Sequence, residues 1–439
     1  KLCRQVLFYI VSKSIRDSEP PSARAMSVVA PCSNGKRLRL SPTVTGIAES
    51  KTVVIFSKVT DMKSRGEKVN GALCVGQPDF PPPPEVVQAT ADAALKHKLT
   101  NYTAVNGTLE LRQAICEYLE KHKNCKYTTD QILVGCGGKQ VIFQAFMALC
   151  QAGDEVLIPA PYWTSYPDIA KLANATPVIL ETTADAGYAI DPEALAKAIN
   201  PNTRILVVCN PSNPTGCMMD AKQMEAIAEV LRRPENAHVY ILSDEIYERI
   251  CFDGAQHVST AALDGMWDRT LTVNGFSKAF SMTGYRLGYL AAPTEITKAA
   301  GKLQGQITSC ASSIGQYAAL VGLRTPFTYL DEKIKEMQSK RDLCLKLLLD
   351  IEGVGCPKPG GAFYLFPNVS AFFGRKAKDG TVIADANTLC LNLLTDYKVA
   401  LVPGDAFGDP KCIRLSYAAT VENIEDAVGK LKTFLMELS

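Results

Sequence analysis

At 439 residues, with 47% hydrophobic and 21% charged residues, the chain is long enough for two or three domains of about 100–200 residues each. Disordered, collagen-like and coiled-coil architectures are excluded by the same figures. The net charge of +2 is unevenly spread: residues 1–48 hold eight Lys/Arg against Asp17 and Glu19, a local +6, and the remainder carries −4. A body of that sign has no electrostatic claim on nucleic acid or anionic lipid, and no apolar run approaches the roughly 20 residues of a membrane-spanning helix. Small molecules are the expected ligands.

Residues 1–38 are basic, serine-containing and acid-poor, without apolar periodicity. They read either as an organelle transit segment, which points to a plastid or another organelle, or as a leader foreign to the natural protein. In the second case Met26 is the natural start and the protein is cytoplasmic. From about 85 to 325 the chain alternates helical patterns with short β-branched runs. The helices are expected at Pro84–Lys98, Leu109–Lys121, Lys139–Cys150, Pro192–Ile199 and Ala221–Arg232. The strands are expected at Gln131–Gly135, Glu155–Pro159, Thr176–Leu180, Arg204–Cys209, Val239–Ser243, Thr270–Asn274 and Leu287–Ala291. Several of these strands are apolar throughout, as befits a parallel sheet covered on both faces. The alternation implies one large α/β domain over 85–325 with a mostly parallel sheet. After Pro326 a long helix (Thr328–Asp350), strands near Phe363–Phe366, Val399–Val402 and Cys412–Ser416, and a final helix (Val421–Leu438) suggest a smaller α+β domain. That domain spans 326–439 and is joined by 40–84. The fifteen cysteines include no Cys-x-x-Cys pair and lie in apolar stretches such as those of Cys74, Cys116, Cys150, Cys209, Cys310 and Cys390. They read as small core residues in a reducing compartment, and no metal site is expected.

The strongest chemical signal is the string from Gly275 to Gly288, which follows an apolar strand and contains Ser277, Lys278 and Arg286. A lysine at the carboxyl end of a buried strand is placed to become a neutral amine nucleophile through desolvation. Arg286 keeps its charge and suits an anion such as phosphate. Taken singly, most partners have an ordinary reading. Asp244 could cap a helix, Asn213 could mark a turn, and Trp163, Tyr102 and Tyr247 could be core aromatics. A Gly137-Gly138 pair without a longer glycine pattern is weak.

The whole string resembles the lysine signature of the class I pyridoxal-phosphate aminotransferases, and further motifs appear in the order of that family. These are Val75 to Phe80, Gly135 to Gln140, Asn210 to Gly216, Ser243 to Tyr247, and Arg414 to Tyr417, so the resemblance spans residues 40–438. It implies the aspartate aminotransferase-like fold (fold type I), an α/β architecture with a large, mostly parallel sheet domain and a smaller α+β domain. The cofactor it implies is pyridoxal 5'-phosphate. By the resemblance, Lys278 would hold the cofactor covalently and, once displaced by the amino acid, act as general base. Asp244 would pair with the pyridine nitrogen, Asn213 and Tyr247 with the ring hydroxyl oxygen, and Trp163 would stack on the ring. The phosphate would sit at the helix start of Gly137, Gly138 and Lys139 beside Arg286. Gly275 stands where other relatives carry a phosphate-binding serine, so Ser277 is the expected substitute; Tyr285 stands where relatives carry tryptophan.

The resemblance also bears on substrate. Arg414 matches the arginine that grips the substrate α-carboxylate as a fork, with Gly76 allowing close backbone approach. Tyr102 matches a tyrosine that reaches the neighbouring subunit's phosphate, so a homodimer is expected. Lys139 and Thr52 match a pair characteristic of the prokaryotic-type branch of aspartate aminotransferases, some of which also aminate prephenate. The expected reaction is therefore transfer of an amino group between aspartate or glutamate and 2-oxo acids such as oxaloacetate, 2-oxoglutarate and prephenate. Alternatives on the same fold are a β-lyase and an aromatic or alanine aminotransferase. A non-enzymatic regulator would need a DNA-binding module that residues 1–38 do not resemble.

Overall fold

The computed structural model describes residues 40–69 and 71–439. The expected leader, 1–38, lies outside the described residues. A single helical turn, Pro42–Thr45, precedes a compact unit spanning Ile47–Ser439. Strand β1 (Gly71–Ala72) comes first. Then follow β2 (Ile132–Gly135), β3 (Glu155–Ala160), β4 (Thr176–Glu181), β5 (Thr203–Cys209), β6 (Tyr240–Asp244), β7 (Thr270–Gly275) and β8 (Gly288–Ala291). These last seven form one sheet in the order β2-β8-β7-β6-β5-β3-β4, parallel except for β8.

The strand pattern explains the sheet's burial. Along β5, Ile205 and Val207 enter one hydrophobic cluster while Leu206 and Val208 enter another on the opposite face. Side chains alternate with a period of two, so a strand apolar at every position must be covered on both sides. Helices supply the cover. In Ala221–Leu231 the buried Met224, Ile227, Ala228 and Leu231 recur at helical spacing. Asp220 starts this helix by accepting from the Gln223 backbone amide, and the Gln223 side-chain oxygen accepts in turn from the Asp220 backbone amide. The helix expected to run to Lys98 ends instead at Leu95, and Lys98 takes a left-handed φ of 51°.

The remaining strands are short. The run expected as one strand over Val399–Val402 is divided: β10 (Val399–Ala400) pairs in parallel with β1, while β11 (Val402–Pro403) pairs with β12 (Ile413–Ser416). Leu401 breaks the run, and the two halves serve different sheets. Strand β9 (Tyr364–Leu365) completes the antiparallel set β11-β12-β9. Helices Thr328–Leu349, Ala386–Asp396 and Val421–Met436 share a core with these strands, in which Leu345, Leu348, Phe363, Leu389, Leu415, Val428 and Leu431 are buried. The helix Lys51–Ser64 packs Val59 and Met62 with Cys74, Phe366, Val402 and Phe407. No helix of the described residues is long and apolar enough to cross a membrane.

Strands β2, β5, β6 and β7 run the same way, so their carboxyl ends open on one edge of the sheet. Four of the sequence motifs begin at those ends, where open α/β sheets bind ligands.

Candidate active site

A cavity of about 310 Å³ lies at this edge. Its walls include Thr52, Gly76, Gly138, Lys139, Trp163, Asn213, Asp244, Tyr247, Ser277, Lys278, Arg286 and Arg414. Segments separated by more than 300 residues in sequence meet here. Gly137 is buried immediately beside the wall. Tyr102 is not brought to the cavity; it is 88% exposed.

Lys278 follows the end of β7 and donates from Nζ to the Gly76 carbonyl at 2.6 Å. Burial lowers its pKa to about 8; the Arg414 and Arg286 charges push the same way and Asp244 opposes them. The environment therefore raises the share of neutral amine that covalent chemistry with a carbonyl group requires.

Asp244 ends β6 and is 5% exposed. Burial raises its pKa, opposed by bonds from Tyr166 and the Ile246 amide and by the charge of Lys278. The Tyr166 hydroxyl donates to Oδ2 at 2.6 Å and the Ile246 amide to Oδ1 at 3.2 Å. Burial keeps Tyr166 protonated, pushing its pKa well above the ordinary phenol value. The sequence assigns Tyr166 no role, although it lies three residues after Trp163 in the same segment. Its ring meets Trp163 edge-on at 5.2 Å.

Gly137 has φ 93° and precedes the helix Gly138–Leu149, whose first residues line the cavity. A Cβ on Gly137 would stand 2.6 Å from Arg286 Nη2, so the glycine both makes the turn and admits the guanidinium. Arg286 itself has a left-handed φ of 56° and donates from Nη1 to the Thr283 carbonyl at 3.0 Å. Ser277 is nearly buried in the same wall. A helix start, a guanidinium and a hydroxyl together suit a phosphate. Gly275 can carry no side chain here, because a Cβ would meet Gly288 Cα at 2.7 Å and the Leu287 carbonyl at 2.8 Å. Tyr285 directs its hydroxyl to Thr90 at 2.8 Å.

Arg414 projects from β12 and is 2% exposed. Nη1 donates to Asn213 Oδ1 at 3.0 Å and Nη2 to the Cys74 carbonyl at 2.9 Å, while Nε has no partner. The guanidinium stands over the Tyr364 and Phe407 rings at 4.7 and 4.8 Å. A buried cation with one unsatisfied donor and an open cavity beside it suits a carboxylate ligand. Lys139 keeps accessible surface in the open cavity with Nζ 5.0 Å from the Trp163 ring centre. The protein around it lowers its pKa, and Arg286 adds to that effect. Cys209, expected only as a small core residue, and Tyr364, given no role from sequence, also line the wall.

Asp244 in one part of the wall, the phosphate-type cradle in another, Trp163 and Lys278 fit pyridoxal phosphate by the chemistry of the donors. Sheet topology and site together define a lysine-dependent transferase of the pyridoxal-phosphate class. The sequence pattern of the family described as aminotransferase class I and II matches residues 71–431, and the chain belongs to that family. It is 46% identical to a Petunia hybrida protein named bifunctional aspartate aminotransferase and glutamate/aspartate-prephenate aminotransferase, over 91% of this chain and 84% of that protein. A Cereibacter sphaeroides protein named aspartate/prephenate aminotransferase is 41% identical over 91% of this chain and 99% of its own. Among solved structures, the Rhizobium meliloti aspartate aminotransferase superposes with a TM-score of 0.87 at 39% identity, covering 92% of this chain and all of that one. The Thermus thermophilus aspartate aminotransferase with maleate gives a TM-score of 0.83 at 33% identity, covering 90% of this chain and 100% of that one.

Proposed function

We propose that this protein is an aspartate/prephenate-type aminotransferase, moving amino groups between aspartate or glutamate and 2-oxo acids that include oxaloacetate, 2-oxoglutarate and prephenate. The observation that carries this reading is Arg414, buried with an unsatisfied Nε, lining the same cavity as the Lys139 ammonium and Lys278. Two cationic groups in one cavity suit a substrate with two carboxylates. The names of the Petunia hybrida and Cereibacter sphaeroides relatives agree with it.

Bound pyridoxal phosphate supplies an electron sink for the pair left when Cα loses its proton. Asp244, its carboxylate fixed by Tyr166 and the Ile246 amide, would pair with the ring nitrogen. Gly138, Ser277 and Arg286 would hold the phosphate. Arg414 orients the α-carboxylate, and Lys139 meets the distal one. Lys278, its pKa lowered to about 8, would hold the cofactor covalently and is the base placed to take and return the substrate's Cα proton. Asn213 Oδ1 is engaged by Arg414, so the amide's Nδ2 is the donor left for a ring oxygen.

The kinetic test compares donors. Aspartate and glutamate should be good amino donors, and Lys139→Met should lower their kcat/KM by roughly 10- to 100-fold, the worth of one charge-assisted hydrogen bond, while sparing alanine. Good turnover of alanine or aromatic donors with poor turnover of aspartate and glutamate would overturn the reading. A homodimer, with the exposed Tyr102 reaching the second copy, is part of the proposal; a sedimentation mass of one chain would remove it. An organellar address rests on the composition of residues 1–38 and is tested by import into isolated plastids.

A further inference from the structure

Tyr364 belongs to none of the motifs, yet it touches both functional halves of the cavity. It is 1% exposed on β9, whose register sets Tyr364 opposite Ser416 and Leu365 opposite Leu415 on the strand that carries Arg414. Its hydroxyl lies 2.9 Å from that of Tyr247, and its ring lies under the Arg414 guanidinium at 4.7 Å. The neighbouring backbone is shaped around it, since a Cβ on Gly76 would come within 2.7 Å of its hydroxyl oxygen. The two phenols meet edge to face, with ring centres 5.8 Å apart.

A pair of hydroxyls must decide which one donates. Burial raises the pKa of both. Each phenol has a single proton, so if Tyr247 gives its own to a ring oxygen, the 2.9 Å contact is one in which Tyr364 donates. Tyr247 then accepts, and its own proton is free to point elsewhere.

We propose that Tyr364 is a positioning residue joining the two halves of the site: its hydroxyl donates to Tyr247 and so aims the Tyr247 proton at the cofactor's ring oxygen, while its ring face holds the Arg414 guanidinium for the substrate carboxylate. The inference rests on the reading that the cavity binds pyridoxal phosphate. A hydrogen bond given to the ring oxygen stabilises negative charge there and favours the deprotonated chromophore. Weakening that bond must move the pH midpoint of the bound cofactor's visible band upward.

The experiment is a spectrophotometric pH titration of the holoenzyme, with steady-state kinetics on aspartate. Tyr364→Phe removes the hydroxyl and keeps the ring; the midpoint should rise by roughly half to one pH unit, with KM little changed. Tyr364→Leu removes both, and KM should also rise by about 3- to 30-fold. In a Tyr247→Phe background, Tyr364→Phe should add no further shift, because its effect passes through the Tyr247 hydroxyl. An unchanged midpoint in Tyr364→Phe, or an equal shift in the Tyr247→Phe background, overturns the inference while leaving the cofactor assignment standing. A wild-type protein with no visible band after addition of pyridoxal phosphate overturns both.

Discussion

Desolvation of Lys278 should make the cofactor-free protein pay for its own chemistry. A fall from the ordinary 10.5 to about 8 raises the neutral fraction at pH 7 by about 300-fold. At 1.36 kcal/mol per unit, the same fall means that the folded protein holds the charged amine at a cost of about 3 kcal/mol. The unfolded chain binds this proton more tightly than the folded one. Below about pH 8 both states are protonated and the cost is fully present. Between about 8 and 10.5 the folded state has released the proton and the unfolded state has not, so stability rises with pH across that window. Lys278→Met removes the amine, including its bond to the Gly76 carbonyl. Urea unfolding of cofactor-stripped protein at pH 7 should show the variant more stable by about 2–3 kcal/mol, the lost hydrogen bond taking back part of the gain. The wild-type advantage gained between pH 8 and 10.5 should be missing from the variant. Equal stability at pH 7 with parallel pH profiles would refute the reasoning, because the amine would then be as well solvated as a free lysine.

Two more perturbations follow from the residues behind the site. Lys123 and Glu248 form an ion pair with side chains only 7% and 6% exposed, and Glu248 also accepts from Tyr118. Glu248→Gln strands the lysine charge and should cost about 3–5 kcal/mol in urea unfolding, with much of it recovered in Lys123→Met/Glu248→Met; a loss under about 1 kcal/mol would show that water reaches the pair. Tyr166→Phe deprives Asp244 of its 2.6 Å donor. A bond to a charged group is worth about 1.5–3 kcal/mol, so the Kd for pyridoxal phosphate should rise by at least about tenfold in fluorescence titration; an unchanged Kd would remove Tyr166 from the support of the carboxylate.

Much of the large sheet was legible because its signals are local. A strand buried on both faces must be apolar at successive positions, so Arg204–Cys209 declared itself. The helix ends were less legible. The stretch beginning at Pro84 keeps its helical pattern past Leu95, yet the helix ends there and Lys98 turns left-handed. Val399–Val402 reads as one β-branched strand, and only pairing with β1 on one side and β12 on the other divides it.

The sequence by itself picked out the candidate groups: a lysine just past an apolar strand, an acid closing another, a glycine-rich helix start and an arginine near the chain's end, in a recognisable order. Only the tertiary structure decided their states. Whether Lys278 is desolvated, which donors support Asp244, and whether Arg414 keeps an unsatisfied N–H depend on neighbours distant along the chain, among them Tyr166 beside Asp244 and Cys74 and Tyr364 beside Arg414. Burial and Coulomb interactions act through space, and no pattern along the chain records which distant side chain will close the last few ångströms.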